Sequence, residues 1–403
     1  MSSTTTHASA PTKNKHHPLL SEVVLHNVLT YLPLNSVLNT IATSIDAKSI
    51  ALSSPTLILG TCLSPDCARL VRVLQRFTHV AHVRVENAEL LKKGSDFSAF
   101  AKVVPHVVHL QLTKLRLNCK TGGPFVEAFG SRFSHLRELS LDGSMFPTVP
   151  VLDNMVNYLN GKTLTRLSLI GCRTLEDQHL NSLLSKCPLL QTLSLPDCTR
   201  LQNPNLIHGH LTSINFSKCT SIVSFPEIRL PKVESVVLPW CRQLNNTSVE
   251  KLVTSSHRLQ HLDIGGCVAI KTLHLRNGRS LETIAFGMCE SIHTLRVEQC
   301  SKLTELPVGL CVGLRSLVLL RCLKVQEIDV SLLSLISSVH IEHCPALVVV
   351  NITTTQDTPA KVTILPASMQ HRTKVMDECA RLGEGKTPGA TGLGTGTQKR
   401  EEE

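Results

Sequence analysis

The chain of 403 residues is long enough for several globular domains or for one extended array of repeats. Only 3% of its residues are aromatic against 42% that are hydrophobic, so any core must consist mainly of aliphatic and cysteine side chains. The net charge of +10 is moderate for this length and forms no block of Lys and Arg, and no run of 18 apolar residues occurs, so neither nucleic-acid binding nor a membrane span is predicted.

The fifteen cysteines set the expected compartment. A secreted disulfide scaffold would suit this number, but the N-terminal residues are polar and lack the apolar segment of a signal peptide. Most of the cysteines also recur at one position of a repeat, which is typical of small buried side chains. We therefore expect reduced thiols in an intracellular protein, cytoplasmic or nuclear.

The N-terminal part of the chain is predicted to be a polar tail followed by a small helical module. Residues 1–17 are mainly Ser, Thr, His and Lys, and we expect them to be disordered. Between residues 18 and 59, apolar residues recur at helical spacing. The first helix ends at Tyr31–Leu34 (Tyr-Leu-Pro-Leu), and the last apolar segment stops at Ser53–Pro55 (Ser-Ser-Pro).

These residues carry a resemblance to the F-box family, whose members share Tyr-Leu-Pro-Leu and a later Ser-x-Pro. The resemblance implies a module that docks on the adaptor subunit of a cullin–RING ubiquitin ligase. By position, the docking face would consist of Leu20, Val24, Val28, Leu32, Pro33 and Leu34. A plain helical cap that seals the first coil of the array is the alternative interpretation of the same segment.

A linker or capping helix is predicted over residues 60–78, and a series of strands follows. The first strand lies between Val80 and Val85, where apolar residues alternate. Later strands share the spacing apolar-x-x-apolar-x-apolar and open at Val107, Leu136, Leu164, Leu190, Leu211, Val233 and Leu259. The longer intervals leave room for a return helix, which we predict from Leu175 to Leu184.

The segment from Leu164 to Cys198 resembles the cysteine-containing class of leucine-rich repeat. Its class positions are in register at Leu164, Leu167, Leu169, Cys172, Leu175, Asp177, Leu180, Leu183, Cys187, Pro188 and Leu190. The resemblance implies a curved α/β solenoid, or horseshoe, in which stacked coils share one core and one sheet. We assign residues 79–366 to this solenoid.

Beyond Leu259 the repeat shortens to a strict interval of 11 residues. The repeats open at Leu259, Ile270, Leu281, Ile292, Leu303, Leu314, Val325, Ile336 and Leu347. Two such repeats make one coil of 22 residues, so the return side of the coil is predicted to be extended rather than helical. The sequence does not decide which alternate strands line the concave face, although the cysteine motif favours those at Leu281, Leu314 and Ile336.

The concave face of the sheet is the candidate binding surface. The residue between the two strand leucines and the one after the second project from this face. They form a row without Lys or Arg, which disfavours a phosphate-reading surface and favours a protein or peptide partner. The partner-binding residues are predicted to be Ser168, Ile170, Ser194, Pro196, Asn215, Val237, Pro239, Trp240, Asp263, Val318 and Leu320.

Trp240 is included because an exposed tryptophan is a typical binding anchor. A ring folded back over the edge of the coil is the alternative. The pair Cys62 and Cys67 has poor spacing for zinc and no second ligand pair, and no catalytic or phosphate-binding motif occurs, so we predict neither metal nor cofactor nor enzyme activity. A short helix is expected to cap the array over residues 367–382, and residues 383–403 are expected to be disordered.

The two resemblances together imply the substrate-recognition subunit of an SCF-type (cullin–RING) ubiquitin ligase. Its partners would be the ligase adaptor and cullin on one side and a protein substrate on the other. The alternative is a non-catalytic leucine-rich repeat scaffold within a larger assembly, cytoskeletal or ribonucleoprotein, in which residues 18–59 serve only as a cap.

Overall fold

The computed structural model describes residues 56–59, 71–72, 74–75, 80–85, 88, 94–115, 133–144, 159, 161–352, 360–365 and 374–377. The chain divides into two compact units, residues 1–199 and 200–403. In each unit, successive turns of the chain contribute parallel strands to a shared sheet. The predicted fold class, an α/β solenoid of leucine-rich repeats, is confirmed. Residues 1–34, with the six predicted docking residues, and the tail from residue 383 lie outside the described residues.

The first unit contains a parallel sheet of six strands in chain order. They are β1 (Thr56–Leu59), β2 (His82–Val85), β3 (His109–Leu112), β4 (Glu138–Ser140), β5 (Arg166–Ser168) and β6 (Thr192–Ser194). The repeated leucines fix the register, since Leu110 pairs with Leu139 and Leu139 with Leu167. All three are buried, so a slip of one residue would expose the whole row.

The sheet begins earlier than the sequence predicted. Residues 56–59, assigned above to the helical module of residues 18–59, form β1 and pair in parallel with β2. The sequence Thr-Leu-Ile-Leu is β-branched and apolar, and the preceding Pro55 disfavours helical backbone in the residue before it. The predicted start of the array at residue 79 is therefore wrong.

Two helices are described on the return side of this unit. Helix α2 (Asp177–Lys186) confirms the predicted return helix, and it begins with the backbone N–H of Glu176 donating to His179 Nδ1 over 3.0 Å. Helix α1 (Gly94–Val103) was not predicted, because Phe100 and Ala101 are the main apolar residues that it buries. A 3₁₀ turn lies at Gly161–Thr163.

The second unit starts with the same architecture. Its first sheet consists of β8 (Ser213–Asn215), β10 (Ser235–Val237), β11 (His261–Asp263) and β13 (Thr283–Ala285), paired in that order. The return side carries a two-stranded sheet of β7 (Leu206–Ile207) and β9 (Ile228–Arg229), and then helix α3 (Asn246–Ser255). The side chain of Asn245 caps α3 by accepting the N–H of Ser248 over 2.9 Å.

Beyond α3, a second sheet replaces the helices of the return side. It consists of β12 (Thr272–Arg276), β14 (Thr294–Glu298), β15 (Ser316–Leu320), β17 (Ser338–Glu342) and β19 (Lys361–Leu365). A third sheet contains β16 (Glu327–Asp329), β18 (Val349–Ile352) and β20 (Lys374–Asp377). The 11-residue repeats thus alternate between two sides of a 22-residue coil, as predicted.

This alternation decides which repeats continue the first sheet. The repeat opening at Leu281 supplies β13 and belongs to it, as expected. The repeats opening at Leu314 and Ile336 supply β15 and β17, which belong to the second sheet, so their predicted place on the first sheet is wrong. A strict 22-residue coil leaves no room for the extra half-coil that the prediction required.

Helix α3 covers the first edge of the second sheet. Glu250 Oε1 accepts the N–H of His274 over 2.9 Å, and Asn246 Oδ1 accepts the N–H of Lys271 over 3.1 Å. A covered edge cannot pair with another chain, so the switch from helix to strand leaves no bare ladder at this end.

The C-terminal residues differ from the prediction. A helix was expected over residues 367–382, but the described residues Lys374–Asp377 form strand β20, which pairs in parallel with β18. The free side of β18 offers a row of backbone hydrogen bonds, and this long-range pairing outweighs the local helical preference. Among the described residues, no helix has the length and apolar character that a membrane crossing requires.

A glycine in the 22-residue coils provides a test of their packing. A Cβ atom at Gly313 would overlap the backbone oxygen of Glu290, whereas one at Gly309 would meet nothing within 4 Å. We expect Gly313→Ala to lower the free energy of unfolding by about 1–3 kcal/mol, since the backbone of the neighbouring coil must move. Gly309→Ala is the control and should leave it unchanged or raise it slightly. Equilibrium denaturation by urea measures both, and equal effects would contradict the packing described here.

Candidate functional site

The exposed face of the six-stranded sheet forms a cleft of about 360 Å³. Because side chains alternate along a strand, the leucines of β3 to β5 face the core and the residues between them face the cleft. The outward side chains that line it are Thr56, His82, Arg84, His109, Gln111, Glu138, Ser140, Arg166, Ser168, Thr192 and Ser194. The cleft is therefore polar at its rim and extends over all six strands.

Four charged or titratable side chains form a chain across neighbouring strands. The rings of His82 and His109 stack with their centroids 4.0 Å apart. His109 Nδ1 lies 2.7 Å from Glu138 Oε2, and the other oxygen of Glu138 lies 2.9 Å from Arg166 Nη1. Glu138 is thus held between two donors, which fixes its carboxylate on the cleft wall.

His82 has an altered affinity for protons. Partial burial lowers the pKa of His82 below its ordinary value, the neighbouring His109 lowers it further, and Glu138 partly opposes the change. His82 is therefore held as a neutral imidazole at neutral pH, able to donate one hydrogen bond and accept another.

A second cluster on the same face is centred on Asp142. Its Oδ2 accepts the hydroxyl of Ser140 over 2.7 Å, while its Oδ1 accepts the hydroxyl of Ser168 over 2.6 Å and the N–H of Ile170 over 3.2 Å. The carboxylate therefore links two adjacent coils just past their strands. This arrangement orients the hydroxyl of Ser168 within the cleft.

The structure brings some of the predicted binding residues together in this cleft. Ser168 and Ser194 lie side by side on β5 and β6 and line it. Ile170 and Pro196 follow the same strands, and the Pro196 oxygen accepts the N–H of Gly171.

The sequence analysis missed the charged residues of the cleft. His82, His109, Glu138 and Arg166 stand two positions before the predicted row, on the same side of their strands. The period of two in a strand could have identified them, because positions i and i+2 share a face. The prediction of a face without basic residues is thereby corrected, since Arg84 and Arg166 both line the cleft.

In the second unit, three predicted residues occupy neighbouring outward positions. Val237 pairs with Asn215 on one side and Asp263 on the other. The side chains of Asn215 and Asp263 accept the N–H of the residue two positions later, over 2.9 Å in each case. These two side chains therefore stabilise the turns that follow their strands.

Val318 and Leu320 do not belong to this surface. Both lie on β15 of the second sheet, which is on the return side of the coil. The predicted row therefore ends at β13 as far as the first sheet is concerned.

Trp240 lies in the turn after β10, next to Pro239, whose oxygen accepts the N–H of Lys218. Its backbone has a φ of 64°, and its half-buried ring lies directly over Gly266, where any Cβ atom would come within 2.8 Å of it. Arg242 Cζ is 5.7 Å from the ring centroid. The ring is thus folded over the next coil, which was the alternative interpretation.

The cysteines form two internal rows of thiols. In the first row, the thiol of Cys267 donates to the oxygen of Leu238 over 3.2 Å, and that of Cys289 to the oxygen of Ile264 over 3.1 Å. Burial raises the pKa of Cys267 to about 12 and that of Cys300, in the second row, to about 11. Among the described residues, no group of His, Cys, Asp or Glu is placed to hold a metal ion. Cys62 and Cys67 lie outside these residues.

No protein-family model matches the chain. Among solved structures, it is similar to a chain of the yeast Rad7–Elc1 complex, with a TM-score of 0.41, 14% identity and 90% of each chain covered. It is also similar to a chain of the TLR13–ssRNA13 complex (TM-score 0.30, 12% identity, 77% of this chain and 55% of that one). A third is the functional domain of InlJ from Listeria monocytogenes, which includes a cysteine ladder (TM-score 0.26, 13% identity, 72% and 65%). The repeat assignment rests on the strand register and cysteine rows of this chain.

The titration of His82 is a testable consequence of the charged chain in the cleft. We expect its pKa, measured by NMR and assigned with His82→Gln, to lie below 6.5. His109→Gln should raise it, because a positive neighbour is removed, and Glu138→Gln should lower it further. Its contribution to stability is present above pH 6.5 and is lost as the pH falls through the folded-state pKa. Unchanged values in both variants would contradict the arrangement.

Reactivity of the thiols provides a second test. Eleven cysteines of the described residues are free and buried, and the remaining four are Cys62, Cys67, Cys119 and Cys379. Since burial suppresses the thiolate, iodoacetamide at pH 8 should modify at most these four in the native protein and all fifteen in denaturant. Peptide mass spectrometry identifies the modified sites. Rapid native modification of Cys267 or Cys289 would show that the rows are open to solvent.

Proposed function

We propose that the protein is a non-catalytic binding subunit that recognises a protein partner through the cleft of its first unit. The observation that carries this proposal is the pre-ordered polar surface of the cleft. The carboxylates of Glu138 and Asp142 and the hydroxyls of Ser140 and Ser168 are already fixed by hydrogen bonds, so a partner would not have to order them on binding.

The charges of the cleft favour a peptide over a nucleic acid. Arg166 is already bonded to Glu138, and Asp142 adds a second negative charge on the same face. A phosphate backbone would meet both carboxylates, whereas a peptide can use hydroxyls, imidazoles and carboxylates together.

We further propose that the N-terminal module connects this surface to a ubiquitin ligase. The support is the resemblance of residues 18–59 to an F-box, with Leu20, Val24, Val28, Leu32, Pro33 and Leu34 as the docking face for the ligase adaptor and its cullin. In such a complex the chain would supply proximity alone, raising the concentration of substrate lysines near the charged ubiquitin carrier.

Two sets of substitutions in the full chain separate the two halves of the proposal. Leu32→Asp with Pro33→Ala places a charge on the docking face, and should abolish recovery of adaptor and cullin while the substrate remains bound. Ser194→Arg fills the cleft, and should abolish recovery of the substrate while adaptor and cullin remain. Ser185→Arg, the same change at an exposed position of α2, is the matched control and should alter neither. Affinity purification followed by mass spectrometry reports all four samples.

The outcomes distinguish the proposed function from a scaffold. If no adaptor or cullin is recovered with the unaltered chain, the ligase role is wrong and residues 18–59 act as a cap on a scaffold. If Ser194→Arg and Ser185→Arg bind the same proteins, the cleft is not the recognition surface. Circular dichroism of each variant must match the unaltered chain.

A further inference from the structure

The second unit carries a row of exposed apolar side chains at one register position. Met288, Leu310 and Leu332 are 55%, 58% and 70% exposed, and each lies 22 residues after the one before. Met288 and Leu310 directly precede the buried cysteines Cys289 and Cys311. Because one coil contains 22 residues here, the three side chains stand on successive coils and form a ridge along the stack.

The equivalent position on the other side of the same coils is polar without exception. The residues with positive φ after the strands of the second sheet are Asn277, Gln299, Arg321 and His343. Met288 has the same left-handed backbone, with a φ of 57°, although its side chain offers none of the local hydrogen bonds that make Asn tolerable there. Neither backbone geometry nor solvation thus accounts for apolar residues on the ridge.

A break in the sheet opens a cleft beside the ridge. Pro307 stands where the strand after β13 would run, and it cannot donate to a backbone ladder. The resulting cleft has a volume of about 400 Å³, and its walls include Phe286, Leu306, Leu310 and Leu332. An apolar side chain from a partner could enter it.

The flank of the ridge is acidic. Glu305, Glu327 and Asp329 are exposed on the same coils, and Asp329 lines the cleft together with Leu332. Asn351 Nδ2 donates to Glu327 Oε1 over 2.8 Å, and Asp329 accepts the N–H of Ser331, but within the described ranges no cation forms an ion pair with any of the three. The negative charge beside the apolar ridge is therefore uncompensated.

The spacing of the coils matches that of a helix. Adjacent parallel strands are about 4.8 Å apart, so the ridge presents one apolar side chain about every 4.8 Å. An α-helix that lies along the stack presents one side chain per turn of about 5.4 Å on each face. Over three coils the difference is about 1 Å, which side chains can absorb.

We propose that Met288, Leu310 and Leu332, with the acidic flank of Glu305, Glu327 and Asp329, are the docking surface for an amphipathic helix of a partner protein. The apolar face of that helix packs on the ridge and into the cleft, and its Lys and Arg residues meet the acidic flank. This surface belongs to the second unit and does not depend on the cleft proposed above for the first.

The test uses the full chain and synthetic helical peptides of 18 residues. The probe has Leu at positions i, i+3, i+4 and i+7 and Lys elsewhere; a second peptide has Glu in place of Lys, and a third has the Leu residues spread around the helix. Fluorescence anisotropy gives the Kd of each. We expect the Leu/Lys peptide to bind at least about tenfold more tightly than either of the others.

Matched substitutions then locate the binding. Leu310→Ser with Leu332→Ser should weaken binding at least about tenfold, since two apolar contacts are lost. Glu305→Gln with Glu327→Gln should weaken it about threefold or more at low salt and by less at high salt. Leu189→Ser with Leu323→Ser, at residues 47% and 49% exposed elsewhere, is the control and should change the Kd by less than about twofold.

Several results would overturn the proposal. They are equal binding of the Lys and Glu peptides, no binding of the Leu/Lys peptide, and equal losses in ridge and control variants. Sedimentation of the full chain tests for a second copy as the occupant. Self-association that disappears in the Leu310→Ser, Leu332→Ser variant would assign the ridge to contacts between copies of this chain instead.

Discussion

The structure depends on the turn that follows each strand. There the chain leaves the sheet through a residue with positive φ, whose N–H donates to the next coil, as Trp240 does to Gly265 over 2.7 Å. A buried cysteine comes next, and its thiol donates to a strand oxygen of the preceding coil. The turn therefore extends the ladder of the sheet past the strand and satisfies a carbonyl that would otherwise be buried without a partner. Cysteine suits this place because it is small, apolar and still able to donate.

With the coils held by leucines, turns and thiols, the outward residues are free to vary. In the first unit they build a chain of side chains across the strands, from His82 through His109 and Glu138 to Arg166. In the second unit the same positions hold Ser235, Val237 and Asp263, with no comparable chain of charges among the described residues. Fold and binding chemistry are thus encoded by alternate residues of the same short strands, which allows one to change without the other.

The sequence predicted the coils well because each of them repeats a local pattern. Leucines at fixed spacing located β2 to β6, and the 11-residue period located the alternation of strands beyond α3. What the sequence did not predict depends on contacts between distant residues: β1 pairs with β2, β20 pairs with β18, and Glu138 joins His109 to Arg166 across two coils. The charged cleft was missed because the prediction took the row beginning between the strand leucines, whereas the side chains two positions earlier share that face.

The replacement of helices by strands after α3 has a consequence for surfaces. A helical return takes 26 to 28 residues per coil in this chain, with variable loops, whereas the paired strands fix each coil at 22 residues, as between Ser316 and Ser338. Fixed length places equivalent turn residues on one line at a constant spacing, so that single apolar residues such as Met288, Leu310 and Leu332 add up to a continuous ridge. Pro307 interrupts the strand of one coil without changing its length, and this opens a cleft beside the ridge while the register of the flanking coils is kept. Regular coils thus supply the alignment, and one local break supplies the depth.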